Sequence, residues 1–212
     1  MPDPELDITK LTEDTAVVPR PAATIVLVRG GAVAIELLMV RRTLTARFMG
    51  GAWVFPGGAV DASDGTLGPQ AFASAARREL EEEAGIALPA EHELIPYARW
   101  ITPAGIPIRF DTWFFLASAP LGAEPRIDGG EIIDDRWISP PAALAAGAAG
   151  EMLLAFPTRK QLEQLALFRS ERALLDHARG REVVTVEPRV LRAEDARIVL
   201  PGDPGYDSAK VS

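Results

Sequence analysis

At 212 residues, 48% hydrophobic and 25% charged, the chain has the length and composition of a single globular domain with its own core. It contains no cysteine, which excludes disulfides, thiolate metal sites and a cysteine nucleophile. A net charge of −8 speaks against a general nucleic-acid binder, so an anionic substrate has to be met by local arginines or by a bound cation.

In chain order, the opening "MPDPELDITKLTEDT" is acidic, lacks the basic and apolar regions of a secretory signal, and reads as a tail over 1–20. The expected domain covers 21–200. "AATIVLV" (22–28) and "AIELLMV" (34–40) predict two strands joined through Arg29, Gly30 and Gly31 as a hairpin. "AWVFPGG" (52–58) predicts a short strand running into a loop that continues as "DASDGTLGP" (61–69). The acidic residues of that loop are out of register for a calcium-binding loop and no glutamate closes it, so it reads as a turn.

Gly68 and Pro69 suit a helix start, Ala71 to Glu83 favour helix, and Gly85 suits a left-handed stop. "ELIPYARWIT" (93–102) and "IRFDTWFFLAS" (108–118) predict a second hairpin around "PAGIP". "EIIDDRWIS" (131–139) predicts a strand leading into an alanine-rich helical turn. "PTRKQLEQLALFRSERALLDHARG" (157–180) predicts one helix, with a capping box from Thr158 to Gln161 and Gly180 as its stop. The segment 201–212 reads as a loop-like tail. "PPAALAAGAAGEMLLAF" is broken by glycines and Glu151 and is too short to span a bilayer, so the expectation is a cytoplasmic protein without membrane contact. His92 and His177 are far apart in the chain, which disfavours a histidine zinc site.

The chemistry concentrates in "ARRELEEEAGI" (76–86). At 100° per residue, Glu79, Glu82 and Glu83 share one helix face and Glu81 points to the opposite side. Two carboxylates about 6 Å apart repel by roughly 3 kcal/mol at an effective dielectric of about 20, a cost that a hard cation removes. Oxygen ligands of this kind suit Mg²⁺, Mn²⁺ or Ca²⁺. Arg78 is placed to hold one carboxylate by a two-pronged hydrogen bond. The alternative is an acidic, solvated face with an Arg78–Glu82 pair.

"RELEEEAGI" (78–86), preceded by "FPGG" (55–58), resembles the second half of the Nudix box, Arg-Glu-U-x-Glu-Glu-x-Gly-U with U aliphatic, at every fixed position. The resemblance implies an α+β fold, an α/β/α sandwich with a mixed, curved sheet between helices. It also implies divalent-metal hydrolysis of a nucleoside diphosphate linked to another group. By the same resemblance, Glu82 and Glu83 are metal ligands, Glu79 is a further ligand or the base, and Arg78 is its orienter. The Gly57 carbonyl is an extra candidate ligand, and Mg²⁺ or Mn²⁺ is the expected cofactor. An additional acidic residue past the box often serves such enzymes, and Glu131 is the candidate here, with Asp134 and Asp135 as competitors. The first half of the box departs from the family pattern: Gln70 stands where a glutamate is usual, eight residues before the arginine, and the glycine-to-arginine spacing is longer.

Upstream, "LMVRRTLTARFMGGAWVFPGG" (38–58) is similar to the coenzyme A diphosphatase signature, through Arg42, Thr43, Arg47, Gly51 and Phe55 to Gly58, with Thr43 in place of Ser or Ala. The expanded box and the segments "VEPRVL" and "IVLPGDPGYD" resemble the peroxisomal coenzyme A diphosphatase branch, although "KVS" is not a peroxisomal signal. This implies cleavage of coenzyme A or an acyl-coenzyme A to 3′,5′-ADP and 4′-phosphopantetheine or its acyl form, with Arg42, Arg47 and Gly58 facing substrate. Arginine is also this chain's usual cation, 19 against three lysines. Two alternatives stay open: a nucleotide sugar, dinucleotide or ADP-ribose stacked on Trp53, Trp100, Trp113 or Phe110, or a non-catalytic ligand-binding module. A homodimer exchanging its N-terminal segment or C-terminal helix also stays open.

Overall fold

Alternation in the first strands builds two faces at once. In β1 (Arg20–Gly30), Val26 and Val28 join one apolar cluster while Ile25 and Leu27 join another, and in β2 (Ile35–Arg42) Leu37 and Met39 oppose Leu38 and Val40 in the same way. A strand apolar on both faces has to be covered on both, which is the condition for a layered α/β/α arrangement. The computed structural model of this chain describes residues 17–30, 34–46, 49–127, 129–191 and 197–209. The expected tail through residue 16, Gly31 of the first turn, Arg47 and the last three residues therefore lie outside the described part.

The strands continue as β3 (Trp53–Val54), β4 (Gly57–Ala59), β5 (Ile95–Ile101), β6 (Phe110–Ser118), β7 (Ile132–Ile138), β8 (Thr185–Val186), β9 (Arg189–Leu191) and β10 (Arg197–Val199). The main sheet runs β3-β2-β1-β6-β5-β8, with β4 paired to β1 and β7 paired to β2. It is mixed: β1 lies parallel to β6 and β5 parallel to β8, and the other pairs are antiparallel. Both predicted hairpins form, as β1–β2 and β5–β6. The strands β9 and β10 make a small separate ribbon.

Helix α1 (Pro69–Ala84) starts with Gly68 at its N-cap and Pro69 in its first turn, and stops at Gly85, whose φ of 64° is left-handed and whose N–H donates to Glu81 O at 2.9 Å. Its apolar stripe of Ala75, Ala76, Leu80 and Ala84 is buried against Ile25, Leu38, Val40 and Phe115, so its glutamates are forced to the rim. On the opposite face lie α2 (Pro140–Ala148), α3 (Phe156–Leu165) and α4 (Glu171–Arg179), which cover Val26, Leu37 and Met39 with Phe156, Leu162, Leu165 and Leu174.

The single helix expected over 157–180 is instead two. Helix α3 ends at Ala166, and Ser170 opens α4 by accepting from Ala173 N at 3.3 Å. The break lies between two leucine sets that both join the core, Leu162 and Leu165 from α3 and Leu174 and Leu175 from α4, with Leu167 left 80% exposed between them. The capping box assigned to Thr158 and Gln161 is absent as well. Both residues sit buried inside α3, whose N-cap is Ala155 and whose first turn carries Pro157. Tertiary burial of Phe156 goes with an N-cap three residues upstream of Thr158. Among the described residues no helix is long and apolar enough to cross a membrane.

Candidate active site

Where α1 packs on β1 and β4, a cavity of about 510 Å³ opens, and its polar lining includes Glu79, Glu83, Glu131 and Arg42 beside the backbone of Gly57 and Gly58. Gly57 is required there by space, and Gly58 leaves room for the Glu79 carboxylate. Strand β4 runs so close to β1 that a Cβ on Gly57 would lie 2.5 Å from Ala23 O, and one on Gly58 would lie 2.5 Å from the Glu79 carboxyl carbon. The "PGG" turn is thus the backbone wall against which the carboxylates of the helix rest.

Glu83 is the most deeply placed of them, 4% exposed, and its Oε2 accepts from Gly57 N at 2.9 Å. The Gly57 group engaged with the helix is therefore its N–H. Arg42 Nη1 lies 4.0 Å from Glu83 Oε1. Burial is the main force on Glu83, pushing its pKa up to about 8, with Glu79 and Glu131 adding to the rise and the Gly57 N–H and Arg42 opposing it. Glu79 is also raised, first by burial and then by Glu82 and Glu131, against the pull of Arg78. Buried carboxylates that raise one another are short of positive charge.

Arg78 organises the outer side. Its Nη1 donates to Glu79 Oε1 at 2.7 Å and to Glu82 Oε2 at 3.0 Å, its Nη2 to Ala59 O at 3.0 Å, and its Nε and Nη2 to Asp64 at 3.0 and 2.8 Å. Glu82 is the exposed member of the set, its side chain 58% accessible. Glu79 and Glu83 therefore line the cavity while Glu82 sits at its outer edge. The sequence signal missed Asp64. The loop read as a plain turn forms a 3₁₀ turn over Ala62–Asp64 whose last residue is buried, and the only hint was an aspartate pair three apart, the spacing of a cap.

Glu131 arrives from far along the chain because β7 pairs with β2, Ile132 opposite Arg42, and because Thr43 N donates to Glu131 O at 2.8 Å. Its competitors Asp134 and Asp135 lie within β7, opposite Arg41 and Val40, and are not among the cavity's lining residues. Among the described residues, Arg42 Nε is buried without a hydrogen-bond acceptor. The apolar wall of the cavity includes Trp100, Ile106, Phe110, Phe114, Phe156 and Ile198. Trp53 and Trp113 are not part of that wall; Arg136 lies over Trp53 at 5.1 Å and Arg99 over Trp113 at 5.5 Å. His92 and His177 stand apart, His92 Nε2 against Ser118 O at 2.9 Å and His177 against the Phe168 ring at 5.1 Å.

As the side chains stand, no three acidic groups among the described residues meet as one metal-binding cluster. The donor chemistry fits a hard divalent cation nonetheless: Glu79, Glu83 and Glu131 share one cavity, two are raised by burial and mutual repulsion, and all present oxygen.

Comparison with known proteins agrees with this geometry. The NUDIX domain family model matches residues 18–156. A Caenorhabditis elegans protein named nudix hydrolase 7 is 32% identical over 167 residues, covering 62% of this chain, and the chain spans only 56% of that relative's length. The crystal structure of a NUDIX hydrolase from Alicyclobacillus acidocaldarius superposes with a TM-score of 0.68 at 28% identity, covering 75% of this chain and 96% of that one. A MutT NUDIX hydrolase from Burkholderia pseudomallei gives 0.54 at 26% identity, over 69% and 98%. With its glutamate helix set against the Gly57–Gly58 strand inside the matched region, the chain belongs to the NUDIX domain family.

Proposed function

We propose that the protein is a metal-dependent pyrophosphohydrolase that cleaves coenzyme A or an acyl-coenzyme A to 3′,5′-ADP and 4′-phosphopantetheine or its acyl form. The observation that carries this reading is the mixed lining of one cavity: buried carboxylates beside a glycine wall, together with the apolar side chains Trp100, Phe110, Phe114 and Phe156. A diphosphate would meet the carboxylates through a cation, and an uncharged chain would pack on the apolar side chains. The arginine spacing from Arg42 to Gly58 supports the choice of coenzyme A, and the buried, unpaired Nε of Arg42 is a donor that a phosphate oxygen would complete.

Glu79, Glu83 and Glu131, with Glu82 at the rim, would hold Mg²⁺ or Mn²⁺, which when bound neutralises their charge, draws phosphate oxygens in and makes an adjacent water more acidic. The chain's own groups do the remainder. Glu79 accepts the proton of the attacking water, a role suited to a carboxylate whose pKa burial has lifted, and Arg78 holds its Oε1 in place. Water adds to one phosphorus, the bridging phosphorus–oxygen bond breaks, and the second phosphate leaves with the electron pair. Arg42 faces the charge that develops, and the glycine wall lets substrate approach the backbone closely.

The test is a substrate panel with Mg²⁺ or Mn²⁺ and chromatographic product analysis. Coenzyme A or its acyl forms should be hydrolysed faster than ADP-ribose and nucleotide sugars, and excess chelator should stop the reaction. Cleavage of 3′-dephospho-coenzyme A and ADP-ribose as fast as that of coenzyme A by the intact protein would show that the 3′-phosphate is not read. The aromatic residues of the cavity wall would then be assigned to stacking a base. Arg47→Ala, in the segment between Arg42 and Gly51, should narrow the advantage of coenzyme A.

A further inference from the structure

We propose that Asp64 is the positioning residue of this site: it fixes the plane of the Arg78 guanidinium and, through it, the direction of the Glu79 carboxylate. The proposal rests on the catalytic reading of Glu79 given above.

An arginine beside two glutamates on its own helix has no intrinsic reason to prefer one of them. The pair with Glu82 is an exposed i,i+4 contact and contributes little by itself. The fork to Asp64 removes this freedom. Nε donates to Oδ1 at 3.0 Å and Nη2 to Oδ2 at 2.8 Å, two nearly parallel charge-assisted bonds to a side chain only 2% exposed. With those two nitrogens fixed, the planar guanidinium can aim Nη1 in one direction, and it lands 2.7 Å from Glu79 Oε1, with the exposed Glu82 Oε2 following at 3.0 Å.

Asp64 is itself held. Its Oδ2 accepts from Asp61 N at 2.9 Å, and Asp61 Oδ1 accepts from Ser63 N at 2.9 Å, which closes the 3₁₀ turn as a reciprocal cap. Nη2 of Arg78 adds a bond to Ala59 O, the residue after the glycine wall. The segment between β4 and α1 is therefore a bracket that ties the glycine wall to the catalytic helix through one buried aspartate. Gln70, in the first turn of α1, is exposed, and none of the Arg78 hydrogen bonds described above reaches it.

The experiment is a double-mutant cycle of Asp64→Ala and Arg78→Ala in the full chain, with folding followed by circular dichroism. Two readouts are taken: kcat and KM on coenzyme A, and Mn²⁺ affinity by calorimetry without substrate. Asp64→Ala should lower kcat by about 10- to 100-fold and weaken Mn²⁺ binding several-fold, with KM changed by less than about threefold. The double variant should be no worse than Arg78→Ala, because both changes break one linkage. Losses that multiply, or a folded Asp64→Ala with unchanged kcat and Mn²⁺ affinity, overturn the proposal. Asp64→Asn keeps the shape and one acceptor; where the alanine variant does not fold, unchanged kcat and Mn²⁺ affinity in Asp64→Asn overturn it. If the wild-type chain hydrolyses no pyrophosphate, the functional reading falls and the Mn²⁺ cycle alone decides the role of Asp64.

Discussion

Replacing Glu83 by glutamine should stabilise the metal-free protein near neutral pH while destroying its activity. Burial pushes the Glu83 pKa from 4.5 up to about 8. An acid raised on folding keeps its proton in the native state between those two values, whereas the unfolded chain has already released it, so stability falls as pH rises across that window. Each unit corresponds to about 1.36 kcal/mol, and from pH 5 to pH 7 the loss is about 3 kcal/mol, a sizeable part of the 5–15 kcal/mol typical of a domain. Glutamine has the same shape, can accept from Gly57 N as Glu83 does at 2.9 Å, and does not titrate. Asp61, Asp64 and Glu93 have lowered values, so their contribution is already complete above the unfolded carboxylate range and does not change in this window. Urea unfolding of metal-free wild type and Glu83→Gln at pH 5, 6 and 7 should give curves that diverge by about 3 kcal/mol, with the variant the more stable at pH 7. Added Mn²⁺ should flatten the wild-type slope and leave the variant's little changed. Parallel pH dependences for the two proteins would refute the burial argument.

Glu79→Gln should depress kcat by about 100-fold or more with little change in KM, while Glu131→Gln should cost no more than about tenfold; steady-state kinetics at saturating metal check this, and a larger loss in Glu131→Gln moves the base to that residue. Gly58→Ala places a methyl 2.5 Å from the Glu79 carboxyl carbon, so the side chain must turn away; kcat should drop by about tenfold or more while circular dichroism stays native. Leu80, fully buried between α1 and the sheet, should cost about 3 kcal/mol as Leu80→Ala in denaturant unfolding, with kcat per folded molecule retained.

Patterns local in sequence were legible wherever one physical cause acts alone. Gly68, Pro69 and Gly85 bounded α1 because backbone conformation at helix ends depends on the residue itself, and Gly85 does take the left-handed φ of 64°. The apolar, β-branched runs 22–28 and 34–40 became β1 and β2 because a strand with two apolar faces has few other solutions. The spacing of "RELEEEAGI" placed its carboxylates on the rim of a helix whose other face had to be buried. The stretch 157–180 failed where tertiary contacts outweighed local propensity. Its leucine period suited one helix, but its leucines enter the core from two separate helices, and Ser170 supplied a cap at the break.

The composition of the site was settled by contacts that no spacing encodes. Glu79, Glu82 and Glu83 are equivalent on a helical wheel, yet Glu83 is buried against Gly57, Glu79 faces the cavity and Glu82 stays at the surface, because β4 passes over one side of the helix only. Glu131 enters through the pairing of β7 with β2, across roughly half the chain, and Asp64 through a bond to Arg78 fourteen residues away. A residue's chemistry and its local period are written in the chain. Which of several identical side chains loses its water, and which distant one meets it, depends on how sheet and helix pack, and desolvation then sets their charge.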